Sequence, residues 1–224
     1  MRVVSLVPSA TETLVALGVT PIACTRFCDL PGTPTVGGTK NPDVAAIVAL
    51  APDLVVVNDE ENRIEDADAL TAAGVRLHSM SPRALDDVEE AVRALADAVG
   101  EPAPPPPSLP PPRPVHATAF VATWRRPYMS LNRDTYASSV LMRLGIANVC
   151  ADAADRYPEI ALETVVADLV LLPDEPYPFA QRHMPEVHEA VPGARVVLVD
   201  GRDLFWWGIR TEAALGRLGA ALSR

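Results

Sequence analysis

Three segments concentrate side chains that could do chemistry. Residues 124–136 read WRRPYMSLNRDTY, residues 173–183 read PDEPYPFAQRH, and residues 200–211 read DGRDLFWWGIRT. Each combines large aromatics with arginine and a carboxylate. Of the chain's eleven aromatic residues only Phe27 precedes position 101; the other ten are Phe120, Trp124, Tyr128, Tyr136, Tyr157, Tyr177, Phe179, Phe205, Trp206 and Trp207. Most stand beside prolines and charges instead of inside an apolar period. They read either as a flat binding surface or as loops folded back over a core. The arginines can fork onto carboxylate, phosphate or amide groups of a ligand, or tie the loops together as ion pairs. Trp206 and Trp207 are adjacent, so they face different ways.

The titratable residues give a thinner signal. His183 can serve as a metal ligand or as an acid/base group, or as a hydrogen-bonded structural residue; with Asp174 and Glu175 it forms the acid/base set an enzyme would use. Cys28 has Asp29 beside it but no histidine nearby in sequence. No serine sits in a nucleophile-elbow pattern and no glycine-rich phosphate loop occurs. Cys24 and Cys28 stand four residues apart without a second Cys or His pair at zinc spacing. With Cys150 they make three cysteines, which fits a reducing compartment and no disulfide framework.

Composition sets the outer bounds. The 224 residues are 49% hydrophobic and 21% charged, with a net charge of -10. That is a globular composition, and its sign argues against a nucleic-acid partner. The apolar run at residues 3–7 is too short for the core of a signal peptide, and no stretch reaches the roughly 18 apolar residues of a membrane span. These features predict a cytoplasmic protein with no membrane insertion.

The elements that must position the three segments follow from punctuation and period. Residues 101–114, EPAPPPPSLPPPRP, hold nine prolines and predict a stiff polyproline II linker between residues 1–100 and 115–224. Before it, strands are expected at 2–7, 21–25, 53–57 and 75–79. Helices are expected from a capping box at Ser9 and Glu12 to residue 17, then at 43–50, 64–73 and 85–99. After it, strands are expected at 115–121, 168–172 and 195–199, with helices at 134–144, capped by Asp134, then at 162–166 and 211–222. The buried run DLVLL at 168–172 echoes DLVVV at 53–57. Alternation of this kind predicts an α/β protein of two Rossmann-like lobes, each a parallel sheet with covering helices. Ligands of such lobes sit at the carboxyl ends of the strands, here in a cleft between the lobes.

The runs VVSLVPSATETLVALG at 3–18, GGTKNPD at 37–43 and IVALAPDLVVV at 47–57 resemble the first lobe of the helical-backbone metal receptors. These are class III periplasmic-binding-protein-like proteins that bind cobalamin, haem and siderophores. The runs at 133–163, 168–179 (DLVLLPDEPYPF) and 208–218 (GIRTEAALGRL) resemble the second lobe, and within the family the pattern is most similar to the cobalamin-binding branch. The resemblance implies a corrinoid held between the lobes. By position Phe27 matches a ring-contacting aromatic of the first lobe, and Thr39 stands where a cobalamin binder has tryptophan. Tyr157, before Pro158, matches an aromatic of the second lobe, and residues 203–210 match the loop that closes on the ligand's edge. Of the two carboxylates that dock such receptors on their transporter, Glu163 matches one and Ala45 stands at the other. The proline run takes the place of the family's long helix: fourteen residues at about 3.1 Å each reach about 43 Å, as far as a helix of about twenty-nine residues.

The reading expected from sequence is therefore a cytoplasmic small-molecule binding protein, resembling ABC-transporter substrate-binding proteins. Its ligand is cobalamin or another metal chelate, with no covalently bound cofactor. The ligand-binding residues are Phe27, Thr39, Trp124, Arg133, Tyr157, Tyr177, Phe179, Trp206, Trp207 and Arg210, with His183 as the metal ligand. The competing readings are an enzyme reusing the cleft and an uptake receptor whose leader precedes Met1.

Overall fold

A computed structural model describes residues 1–223. The chain forms two compact units. The first comprises Met1–Pro82, Asp86–Pro107 and Trp207–Ile209; the second comprises Arg83–Leu85, Ser108–Trp206 and the chain from Arg210 onward.

In the first unit, β1 (Val3–Ser5), β2 (Ala23–Cys24), β3 (Leu54–Val57) and β4 (Leu77–Ser79) form a parallel sheet of order β2-β1-β3-β4. The helices are α1 (Pro8–Ala16), α2 (Val44–Ala49), α3 (Ile64–Ala72) and α4 (Val88–Val99). Val4, Leu6, Ala23, Ile47, Val55, Val57 and Leu70 interlock as a core. β1 and β3 are buried at every residue, which is why they read as continuous β-branched runs with no polar alternation.

The second unit repeats the plan. β5 (Ala117–Val121), β6 (Ile146–Asn148), β7 (Leu169–Pro173) and β8 (Arg195–Val199) form a parallel sheet of order β6-β5-β7-β8. Its helices are α5 (Tyr136–Arg143), α6 (Met184–Ala190), α7 (Gly201–Phe205) and α8 (Thr211–Leu222). Phe120, Leu162, Val170, Leu172, Phe179, Val187 and Val196 fill one side of this sheet. The echo between DLVVV and DLVLL has a structural use. The Asp53 carboxylate accepts the Arg2 N–H at 2.6 Å, and Asp168 accepts both the N–H and the hydroxyl of Thr118 at 2.7 Å. In each unit the aspartate before the third strand ties down the start of the first. Those bonds hold the Asp168 carboxyl below the usual carboxylate range.

Several sequence expectations change. Ser9 does not cap α1: the cap is Val7, which supplies no side-chain bond, and Pro8 occupies the first turn, where a missing N–H costs nothing. Ser9 lies inside the helix instead, accepting the Thr13 hydroxyl on its carbonyl at 3.0 Å. Thr135, not Asp134, caps α5 by accepting the Ser138 N–H. Asp134 is drawn off to Arg156 at 2.7 Å and Arg83 at 3.2 Å. β6, α6 and α7 were not expected; each is short and lacks the length that makes a period legible. Residues 101–114 carry no helix or strand. In the second unit this run lies along α8 and the end of α5: Ser108 N–H donates to Glu212 at 2.9 Å and Arg143 donates to the Pro110 carbonyl at 3.2 Å.

Candidate functional site

The carboxyl edge of the second sheet carries the aromatic segments. Beyond β5 the chain turns back on itself, with Met129 N–H donating to the Trp124 carbonyl at 3.2 Å and Thr123 N–H to the Met129 carbonyl at 2.9 Å. This narrow loop presents Trp124, Arg125 and Tyr128. Beyond β7 the loop at 174–180 presents Tyr177 and Phe179 and runs into the turn Gln181–His183 ahead of α6.

The rings of these loops form one cluster. Trp124 meets Tyr177 edge-on with centroids 5.5 Å apart. Tyr177 leans on Phe179 at 4.7 Å, and Phe179 stacks on Tyr128 at 6.3 Å and 15°. His183 sits below, 5.6 Å from Tyr177 and 5.5 Å from Phe179. The cluster is graded by depth: Phe179 and His183 are 3% and 5% exposed, whereas Trp124 is 45% exposed. Phe179 and His183 are thus the floor, and Trp124 with half-buried Tyr177 is the surface.

A charged pair braces this arrangement. Arg125 pairs with Glu186 on α6, and its guanidinium also bonds the Tyr177 and Tyr128 side chains. The Tyr128 hydroxyl donates to Glu186 at 3.1 Å. Arg125 keeps the Glu186 carboxyl below the usual range, while burial and then Glu186 push the Tyr128 phenol up to about 12. Residues from two loops and a helix are fixed as a unit, which charge-assisted hydrogen bonds do well. Neither Arg125 nor Glu186 was among the residues expected from sequence. Sequence offered no signal for Glu186, because α6 is too short to show a period.

A second group is organised by α7. Asp200 caps it by accepting the Asp203 N–H at 3.2 Å. Buried Asp203 receives Arg210 at 3.1 Å and Arg217 through two bonds of 2.6 Å. The Trp206 ring lies between two guanidinium groups, Arg202 at 4.9 Å and Arg210 at 5.2 Å, a cation–π arrangement. Glu175 accepts a bond from Trp206, and burial raises its carboxyl above the usual range. Asp174 accepts the Gly201 N–H at 2.7 Å. The two carboxylates considered for acid/base work therefore brace α7 and Trp206.

The remaining expected residues lie elsewhere. Arg133 pairs with Asp152 and donates to the Ala151 carbonyl at 3.2 Å. Tyr157 is 42% exposed and Trp207 is 4% exposed, the latter within the first unit. Phe27 is 51% exposed beyond β2 with the Arg26 guanidinium 4.8 Å from its ring centre. The Thr39 carbonyl accepts the Asn62 amide at 2.9 Å. The Nδ1 of His183 accepts the Ala180 N–H at 3.0 Å, and desolvation keeps the imidazole below its ordinary pKa. Among the described residues no group of three or more His, Cys, Asp or Glu could hold a metal ion. Among them, too, no helix is long and apolar enough to cross a membrane.

Comparison with known proteins adds the lineage. No family model matches the chain. The vitamin B12-binding protein of Salmonella choleraesuis (strain SC-B67) is 25% identical over 195 residues, covering 74% of this chain and 68% of that protein. Among solved structures, the periplasmic vitamin B12 binding protein BtuF of Vibrio cholerae aligns with a TM-score of 0.77 at 17% identity, over 99% of this chain and 96% of that one. The periplasmic heme-binding protein RhuT from Roseiflexus sp. RS-1 in apo form aligns with a TM-score of 0.77 at 21% identity, over 98% and 97%. These neighbours overturn the expected cytoplasmic location: both solved structures are of periplasmic proteins, and neither a short apolar run at residues 3–7 nor three cysteines outweighs that. The chain is thus similar in sequence to vitamin B12-binding proteins, and its paired parallel sheets share the fold of the solved binding proteins named above.

Proposed function

We propose that the chain is a solute-binding protein of ABC-transporter type whose ligand is a corrinoid. The observation that carries this reading is the graded aromatic cluster at the carboxyl edge of the second sheet: exposed Trp124 and half-buried Tyr177 over a floor of Phe179 and His183. A large flat ligand gains from stacking on such a surface, and the clamp of Arg125 and Glu186 fixes the rings before the ligand arrives, which reduces the ordering cost of binding. Trp206, held between Arg202 and Arg210, adds a second aromatic face with donors beside it for amide oxygens. Exposed Tyr157 is a further candidate contact in the second unit. His183 acts from within as a support. The relatives named for vitamin B12 support the corrinoid over haem, which is the ligand of other proteins with this fold. Exposed Glu163 offers one carboxylate for a transporter partner.

Titration with cyanocobalamin and with haemin, followed by tryptophan fluorescence, tests the reading. Saturable quenching by cyanocobalamin, weakened in Trp124→Ala, is expected. Saturation by haemin alone would move the assignment to haem, and quenching by neither would overturn it.

A further inference from the structure

In the second unit the end of the proline run and α8 enclose a groove of about 630 Å³, within the size range of small-molecule sites. Its lining residues lie outside the aromatic loops. One wall is a single face of α8, from Glu212 through Leu215, Gly216 and Gly219 to Ser223, the spacing that brings helical residues onto one side. The other wall is the run from Ser108 to Pro111, with Arg113 beyond it.

The two walls run side by side. Ser108 N–H donates to Glu212 at 2.9 Å, which sets one end. Arg113 N–H donates to the Arg143 carbonyl at 3.3 Å, and a Cβ on Gly219 would touch the next residue, Leu144, at 3.5 Å, which sets the other. From Glu212 to Ser223 the helix rises about 16 Å, and five extended steps from Ser108 to Arg113 also cover about 16 Å. The groove thus has a carboxylate at one end and a guanidinium at the other.

The chemistry of the walls selects the occupant. Proline has no N–H to offer, and the N–H and C=O groups along a helix are spent within it. A polar body such as a peptide would lose its water there without replacement; a hydrocarbon chain would not. A Cβ on Gly216 would meet nothing within 4 Å, so a chain can lie directly on the helix backbone. Glu212 repels an anionic head, and exposed Arg113 attracts one. We propose that this groove binds a straight-chain monocarboxylate, its carboxylate on Arg113 and its chain running past Gly216 toward Glu212. At about 1.25 Å per carbon, from bonds of about 1.5 Å, about twelve carbons fill it.

Calorimetric titration of the full chain with dodecanoate, below its micelle concentration, tests the site, with dodecyltrimethylammonium as the same chain under the opposite head. Saturable binding of dodecanoate and none of the cation are expected. Arg113→Gln is expected to weaken dodecanoate about tenfold. Gly216→Phe places a ring where nothing obstructs it and replaces a poor helix former. It is expected to abolish binding while helix content and the urea midpoint do not fall. Absence of saturable binding would overturn the proposal, as would equal binding of the cation or unchanged dodecanoate affinity in Gly216→Phe. A wild-type chain that sediments as a dimer, and that Gly216→Phe converts to a monomer, would assign the groove to a second copy instead. The titration is made without a corrinoid, so failure of corrinoid binding leaves its result intact.

Discussion

Gly208 lies against Thr13 so closely that a methyl group at position 208 would fall inside the threonine hydroxyl. That hydroxyl is already engaged, accepting the Ile209 N–H at 3.3 Å and donating to the Ser9 carbonyl at 3.0 Å. Gly208 also has φ of 107°, where a side chain is strained. Both effects act on the short segment Trp207–Ile209 that packs in the first unit. Gly208→Ala is expected to cost about 2–4 kcal/mol, read as a lower urea midpoint with the slope unchanged.

Asp203 is 3% exposed and accepts from Arg210 and Arg217. Removing one partner of a buried pair strands the other. Arg217 is 54% exposed and can return to water, so the cost falls at the low end. Asp203→Ala is expected to lose about 3 kcal/mol. It also frees Arg210 from its place over Trp206, which a change in near-ultraviolet circular dichroism would report.

The Glu175 carboxyl is raised by burial, with Asp174 and Asp200 adding to the effect. A raised carboxyl means that the folded protein holds the proton more tightly than the unfolded chain. The group's contribution is then full below its ordinary value of 4.5 and is lost as pH rises through the raised value. Glu175→Gln, which stays neutral and can still accept from Trp206, is expected to be more stable than wild type at pH 7. That advantage should shrink as the pH falls through the raised value and be gone below the ordinary one. Thermal unfolding of both proteins across this range measures it.

Arg125 acts on the ligand surface through Tyr177 and Tyr128. Arg125→Met removes the clamp and leaves Glu186 unpaired, so the rings gain freedom that the ligand must then remove. Cyanocobalamin affinity is expected to fall roughly tenfold, about 1.4 kcal/mol, in the fluorescence titration. Arg125→Lys keeps the charge but loses the fork and is expected to fall between the two. Unchanged affinity in a folded Arg125→Met protein would remove Arg125 from the site.

The amino-acid sequence by itself determined the layered α/β plan. Strands buried on both faces, such as Leu54–Val57 and Leu169–Pro173, need an unbroken apolar run, and that requirement is local. The helix Thr211–Leu222 was likewise legible to the residue, and the spacing of Leu215, Leu218 and Leu222 matches its buried face. The aromatic loops could be picked out by composition, since large rings among prolines and charges match no core period.

Only the tertiary structure decided which of those residues work together. Arg125 and Glu186 are 61 positions apart, and no local pattern selects Glu186 from the chain's other carboxylates. Trp206 and Trp207 are neighbours with identical side chains, yet one is half-buried between two arginines in the second unit and the other is sealed in the first. Phe179 and Trp124 both read as binding aromatics, and only packing made one the floor and the other the surface. Ser9 and Asp134 had the chemistry of caps, but Pro8 and the arginines at 83 and 156 offered better partners. Local sequence fixes where backbone hydrogen bonds can close and which faces must leave water. The pairing of distant side chains depends on distances that exist only after the sheets have brought their loops together.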